Sequence, residues 1–185
     1  MANDTKIALA SPLGGMGFAM TCWCIGFSFT GIIPDGFAMA LPMALLFAGL
    51  AQFIVGFVEL IRGQHALGIC HGTFGVWGMG TALMFYTTSA GLVPAASPEA
   101  MAVYWGGWAI ITGIIAIICW PVSKYFSLVL WVLMADFVLF LLASFVPEAL
   151  QIGAWLTVFT GVFCWYVVAA FTINTSFGRP VLPVK

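Results

Sequence analysis

Apolar residues along this chain fall into six long blocks, 13–33, 37–61, 66–88, 100–120, 125–146 and 149–173, separated by short polar breaks. Each block is close to the roughly 20 residues that a helix needs to cross about 30 Å of hydrocarbon. None alternates with period two, which argues against a membrane barrel. Prolines punctuate the pattern. Pro34, Pro94, Pro98, Pro121 and Pro147 stand at or beside block ends, as expected of a residue without a backbone donor, while Pro42 sets or kinks the first turn of the second block. The pattern predicts an all-α integral membrane protein of six transmembrane helices. A six-helix domain over 11–175 lies between a short N-terminal segment, 1–10, and a C-terminal tail, 176–185.

Composition narrows the classes. Hydrophobic residues make up 63% of the 185 and charged residues 6%, against about 45–50% and 25% in soluble proteins. A soluble globular domain is excluded, and so is disorder, which requires few apolar residues and much charge. Five scattered bases cannot form the basic patch that nucleic acid requires. The surrounding partner is membrane lipid.

The bases also orient the chain. Lys6 precedes the first block, Arg62 and Lys124 lie in the breaks after the second and fourth, and Arg179 and Lys185 follow the sixth. All five fall on one side, and Asp35, Glu99 and Glu148 fall on the other. The positive-inside rule then places both termini in the cytoplasm. Ala8-Leu9-Ala10 resembles a signal-peptidase site but precedes the apolar run instead of following it. Ser11-Pro12 reads as an N-cap with proline at the first helical position.

Little in the chain suggests an enzyme. Cys22, Cys70, Cys119 and Cys164 lie in different blocks, and Cys22 and Cys24 are too closely spaced to share a helix face, so they read as small apolar residues. No HExxH, nucleophile elbow, phosphate loop or CxxC is present. No cofactor is expected. His65 and His71 lack the spacing of a metal pair, so no metal is expected. His71 reads as an interfacial residue about one turn into the third block, or as a pH-sensitive gate.

Polar residues inside the blocks are few. Asp136 lies near the middle of the fifth, where insertion costs about 2.5–3.5 kcal/mol. Such a carboxylate faces protein or a water-filled path, as a proton relay or as a hydrogen-bonded structural group. Gln52 and Glu59 are seven residues apart on one helical face. Glu59, near the block end, reads as hydrated or paired with Arg62, and Gln52 as facing protein or pore. Thr21, Thr73, Tyr104 and Asn174 either donate to an anion or bond to neighbouring backbone. Glycines cluster in the first, third and fourth blocks, which serves close helix packing or lines a narrow path.

The opening run Pro12-Leu13-Gly14-Gly15-Met16-Gly17-Phe18-Ala19-Met20-Thr21 resembles the signature of the acetate uptake transporter family, usually written NPAPLGL followed by Gly-Phe. Ala51-Gln52 through Gly56 and Glu59, Val103-Tyr104-Trp105-Gly106 and Phe177-Gly178-Arg179-Pro180-Val181-Leu182-Pro183 match further landmarks in order. Leu9-Ala10-Ser11 stands where the family has Asn-Pro-Ala, and Gly15 replaces the usual leucine. The resemblance implies a six-helix protomer around its own narrow pore, assembled as a homohexamer. It implies passage of acetate, other small monocarboxylates and in some members succinate, by channel or proton symport. By position it puts the pore constriction at Phe18, Phe74 and Ala135, with Cys164 facing them. Their own chemistry makes Thr21, Gln52, Thr73, Tyr104 and Asn174 candidate substrate contacts, and makes Asp136, which matches no hallmark of the family, a candidate for proton coupling. Ala135, smaller than the leucine expected there, implies a wider constriction. Two rival readings remain: an acid-gated urea or amide channel, which relies on titratable residues in its outer loops where this chain has no histidine, and a quinone-linked thiol oxidoreductase, which would need a CxxC pair.

Overall fold

The computed structural model describes residues 7–33 and 35–184. Lys6, Pro34 and Lys185 lie outside them. All regular structure in the described residues is helical. Six helices span the molecule: α1 Ser11–Phe29, α2 Phe37–Ile61, α3 His65–Ser89, α4 Pro98–Cys119, α5 Lys124–Ala143 and α6 Glu148–Phe177. Five are long and apolar enough to cross a membrane. The exception, α3, carries His65, His71, Thr73, Thr81 and five glycines, which dilute its hydropathy. Its buried stripe includes His71, Phe74, Trp77 and Thr81.

Local chemistry sets the ends. Ser97 accepts the Ala100 N–H at 3.2 Å ahead of Pro98, and Ser123 accepts the Phe126 N–H at 3.3 Å at the start of α5. The chain leaves α6 at Gly178, whose φ of 62° suits a residue without Cβ. The expected Ser11 cap does not form: Ser11 is already helical, and Ala10 precedes it without a side-chain cap bond. Glu59 of α2 does this work from a distance. Its Oε1 accepts the N–H groups of Ala10 and Ser11 at 2.8 and 2.7 Å and the Ser11 hydroxyl at 2.9 Å. A carboxylate also complements the positive end of the α1 dipole. Glu59 pairs with Arg62, whose Nε donates to the Ile7 carbonyl at 3.1 Å. Glu59 is therefore buried and Arg62-paired, the second of the two forms that its place in the sequence allowed.

The helices form a ring in chain order. Each packs against its successor, and α6 closes the ring against α1. The middle of α2, Met43–Ala51, is π-helical and follows Pro42 inside the helix. Its wide turns lie against glycines of both neighbours. A Cβ on Gly17 of α1 would collide with the Phe47 carbonyl oxygen, and one on Gly78 of α3 would stand 2.8 Å from the Ala44 carbonyl oxygen. Those glycines serve close backbone approach, which is how helices gain contact where lipid offers no hydrophobic drive. The core runs along the ring axis and contains Phe18, Phe74, Trp77, Leu133, Phe137 and Val167.

Candidate functional site

Four spaces succeed one another from the end bearing Arg62 and Lys124 to the end bearing Glu99 and Glu148. A vestibule of about 260 Å³ lies between Leu9, Ser11, Arg62, Ser123 and Phe126. Phe126 also lines the next space, a cavity of about 10 Å³ against Gln52, His71, Leu130 and Cys164. Beyond Phe18 and Phe74 is a cavity of about 30 Å³ lined by Thr21, Trp77, Leu133, Asp136 and Thr157. Phe29, Phe85, Trp105 and Phe140 line both that cavity and the last space, an open vestibule of about 310 Å³. The two inner cavities have room for about one water each.

Aromatic rings separate the inner cavities. Phe18 and Phe74 have centroids 5.8 Å apart, and both pack on Trp77 at 6.5 and 6.3 Å. Trp77 in turn meets Phe137 edge to face at 5.4 Å. Such a plug penalises a hydrated ion and spares a small neutral molecule.

On the acidic-end side, Asp136 is fully buried. Thr160 of α6 donates to its Oδ2 at 2.7 Å, while the same hydroxyl also reaches the Leu156 carbonyl at 2.9 Å. Asp136 Oδ1, Thr21 Oγ1 and Trp77 Nε1 are buried without a hydrogen-bond partner among the described residues, and all three side chains line this cavity. Among the described residues, Asp136 is the only charged one that does so. Buried polar atoms are seldom left unpaired, and these three belong to side chains around one cavity whose accessible wall is apolar.

The basic-end cavity holds a second polar pair. Gln52 Nε2 lies 3.3 Å from His71 Nδ1, and Gln52 Oε1 and His71 Nε2 are unpartnered. His71 is thus buried on the axis and not interfacial. Cys164 lines the same cavity and directs its thiol to the Gly15 carbonyl at 3.5 Å. All five cysteines are buried and free, and the described residues contain no cluster of metal-ligating side chains.

Phe18, Thr21, Gln52, Phe74, Asp136 and Cys164 therefore share the axis. Four expected residues stand elsewhere. Ala135 is half-buried and lines neither inner cavity; Leu133 lies there instead, so the wider constriction inferred from Ala135 does not follow. Thr73 lies in an outer groove with Phe53, Gly56 and Leu60. Tyr104 bonds through its hydroxyl to Thr81. Asn174 holds the tail: Nδ2 donates to the Leu182 carbonyl at 2.8 Å, and Oδ1 accepts the N–H groups of Val181 and Leu182 at 2.7 and 2.9 Å. Sequence reasoning missed Trp77, Thr81, Leu133 and Thr157 on the axis. The signal for Leu133 was available, because it stands three residues from Asp136 and so shares its helix face.

A closed ring of apolar helices, five of them long and apolar enough to cross a membrane, defines a multi-pass membrane protein. The chain belongs to the GPR1/FUN34/yaaH family, which it matches over residues 1–184. It is similar to the succinate-acetate/proton symporter SatP of Escherichia coli K12, at 25% identity over 98% of this chain and 97% of the relative. An uncharacterised protein of Methanothermobacter thermautotrophicus is 27% identical over 96% of this chain and 91% of its own length. The solved structure of the bacterial acetate channel SatP superposes with a TM-score of 0.90 at 24% identity, covering 97% of this chain and all of that one. That likeness speaks to the fold.

Proposed function

We propose that this chain is a membrane transporter or channel, not an enzyme, for acetate and related small carboxylates, succinate among them. The solute passes along the axis of each six-helix protomer. The observation that carries this reading is the order of the axial spaces: a vestibule at each end, two small apolar-walled cavities with Asp136 beside one and Gln52 and His71 beside the other, and the Phe18–Phe74 plug between the cavities. Family membership and the likeness to the succinate-acetate/proton symporter support the substrate class. The bases at one end support an orientation in a cell membrane with that end and both termini facing the cytoplasm. The protomer assembles as a homohexamer. The constriction consists of Phe18 and Phe74 with Leu133, and Cys164 backs it on one side. Thr21 and Gln52 contact the substrate. Asp136 carries the coupled proton: it protonates the carboxylate in its own cavity, the neutral acid crosses the plug, and Asp136 regains a proton from the acidic end.

A urea channel would share the ring but has no use for a buried carboxylate on the axis. Purified protein in proteoliposomes should take up radiolabelled acetate with saturation, and urea no faster than protein-free liposomes do. Urea uptake without acetate uptake would overturn the proposal.

A further inference from the structure

Resting on the carboxylate reading above, we propose that Gln52 and His71 form a station that binds a neutral carboxyl group, and with it a primary amide, on the cytoplasmic side of the plug. The argument is one of donors and acceptors. Both residues are buried, at 2% and 1% exposure, and they meet each other through Gln52 Nε2 and His71 Nδ1. In that arrangement the ring nitrogen accepts, so the proton of the neutral imidazole sits on Nε2. Beside the cavity the pair then holds an acceptor, Gln52 Oε1, and a donor, Nε2–H, both buried and without a partner among the described residues.

Turning the amide over does not change the outcome. If Oε1 faces the ring, Nδ1 carries the proton, and the free atoms become an amide N–H donor and an Nε2 acceptor. Either way the pair keeps an unsatisfied acceptor beside its donors. A carboxylate anion offers only acceptors and would leave the acceptor of the pair unsatisfied. A carboxylic acid offers one C=O and one O–H, and a primary amide one C=O and N–H groups.

The surroundings favour the uncharged guest. The cavity is lined by Phe18, Phe74, Phe126, Val129 and Leu130, and no acidic side chain, lysine or arginine lines it. Glycine at position 14 keeps the ring in place: a Cβ there would stand 2.6 Å from His71 Nδ1. Phe126 packs on the imidazole with centroids 6.1 Å apart. Acetic acid and acetamide share the required group, and only acetamide is neutral at every working pH.

The test is competition by acetamide against radiolabelled acetate in proteoliposomes of the full chain, at neutral pH. Wild type should be inhibited. His71→Phe keeps the ring and loses both nitrogens, and Gln52→Leu loses the amide. Each should raise the inhibitory acetamide concentration about tenfold, the effect of one or two net hydrogen bonds, while His71→Gln, which again offers a donor and an acceptor, restores part of it. If His71→Phe fails to fold, Gln52→Leu decides. Acetate uptake that acetamide does not inhibit in wild type, or equal inhibition in folded His71→Phe and Gln52→Leu, overturns the station and leaves acetate transport standing. No acetate uptake by wild type overturns the transport reading itself.

Discussion

At pH 7.5, Asp136→Asn is expected to take up acetate one to two orders of magnitude more slowly than the unaltered protein. The deficit should close as the external pH approaches 4.5. A free carboxyl group titrates near pH 4, so at pH 7.5 only about one molecule in a few thousand is neutral. A protein that donates the proton itself escapes that scarcity, and a variant that cannot must wait for acid already neutral in solution. Asparagine keeps the shape of aspartate and can still accept from Thr160, so folding and assembly should survive. The bonding around Asp136 separates a proton carrier from a structural strut. A carboxylate placed only to join α5 to α6 would engage both oxygens, whereas here Oδ2 has one partner that it shares with a backbone carbonyl, and Oδ1 is unpartnered at the cavity. If Asp136→Asn shows wild-type uptake at both pH values, and only Asp136→Leu disturbs assembly, the residue belongs to the scaffold.

The second large effect concerns the plug. Replacing Phe18 or Phe74 with alanine should raise lactate uptake relative to acetate about tenfold, because removing a ring relieves a steric exclusion of roughly one or two heavy atoms. Both rings are buried, and a Phe→Ala change in a packed core costs about 3–5 kcal/mol. Phe74→Leu, with a smaller loss of volume, therefore serves as the second variant and should shift the ratio in the same direction. An unchanged lactate-to-acetate ratio in correctly inserted protein would make both rings ordinary packing.

The spans were legible because hydrocarbon imposes one rule on every segment, a run of apolar residues that satisfies its own backbone. Their ends shifted by a few residues where local chemistry intervened. The first helix stops at Phe29 and not at 33, ahead of Gly31 with φ of 77°. The last runs on to Phe177 until Gly178 ends it. The π-helical stretch of α2 was not legible. It follows Pro42, but its wide turns also rest on glycines of α1 and α3 that sequence spacing does not connect to it.

On the axis, Phe18, Phe74, Gln52 and Asp136 were singled out by residue type and resemblance, and His71 was misplaced. Depth measured from a helix end says nothing about which face a side chain takes, and α3 turns His71 inward beside Phe74 and Trp77. Ala135 shows the same limit. The axial face of α5 is centred on the side of Asp136 that includes Phe137, with Leu133 and Phe140 three and four residues away, and Ala135 falls on the opposite side. Thr73, Tyr104 and Asn174 are polar enough to contact a substrate, but contacts remote in sequence decide what each of them meets.

The central claim is that solute passes through the interior of each protomer, and site-directed thiol modification tests it most directly. With the five native cysteines replaced by alanine, Thr21→Cys places one thiol at the acidic-end cavity, and Ile110→Cys places one on an outer face, where Ile110 is 68% exposed. A methanethiosulfonate reagent bearing a bulky head group is then applied, and acetate uptake is measured at complete labelling. The account predicts that labelled Thr21→Cys falls to the rate of protein-free liposomes, that acetate slows its labelling, and that labelled Ile110→Cys transports normally. Undiminished uptake by fully labelled Thr21→Cys would contradict an axial path.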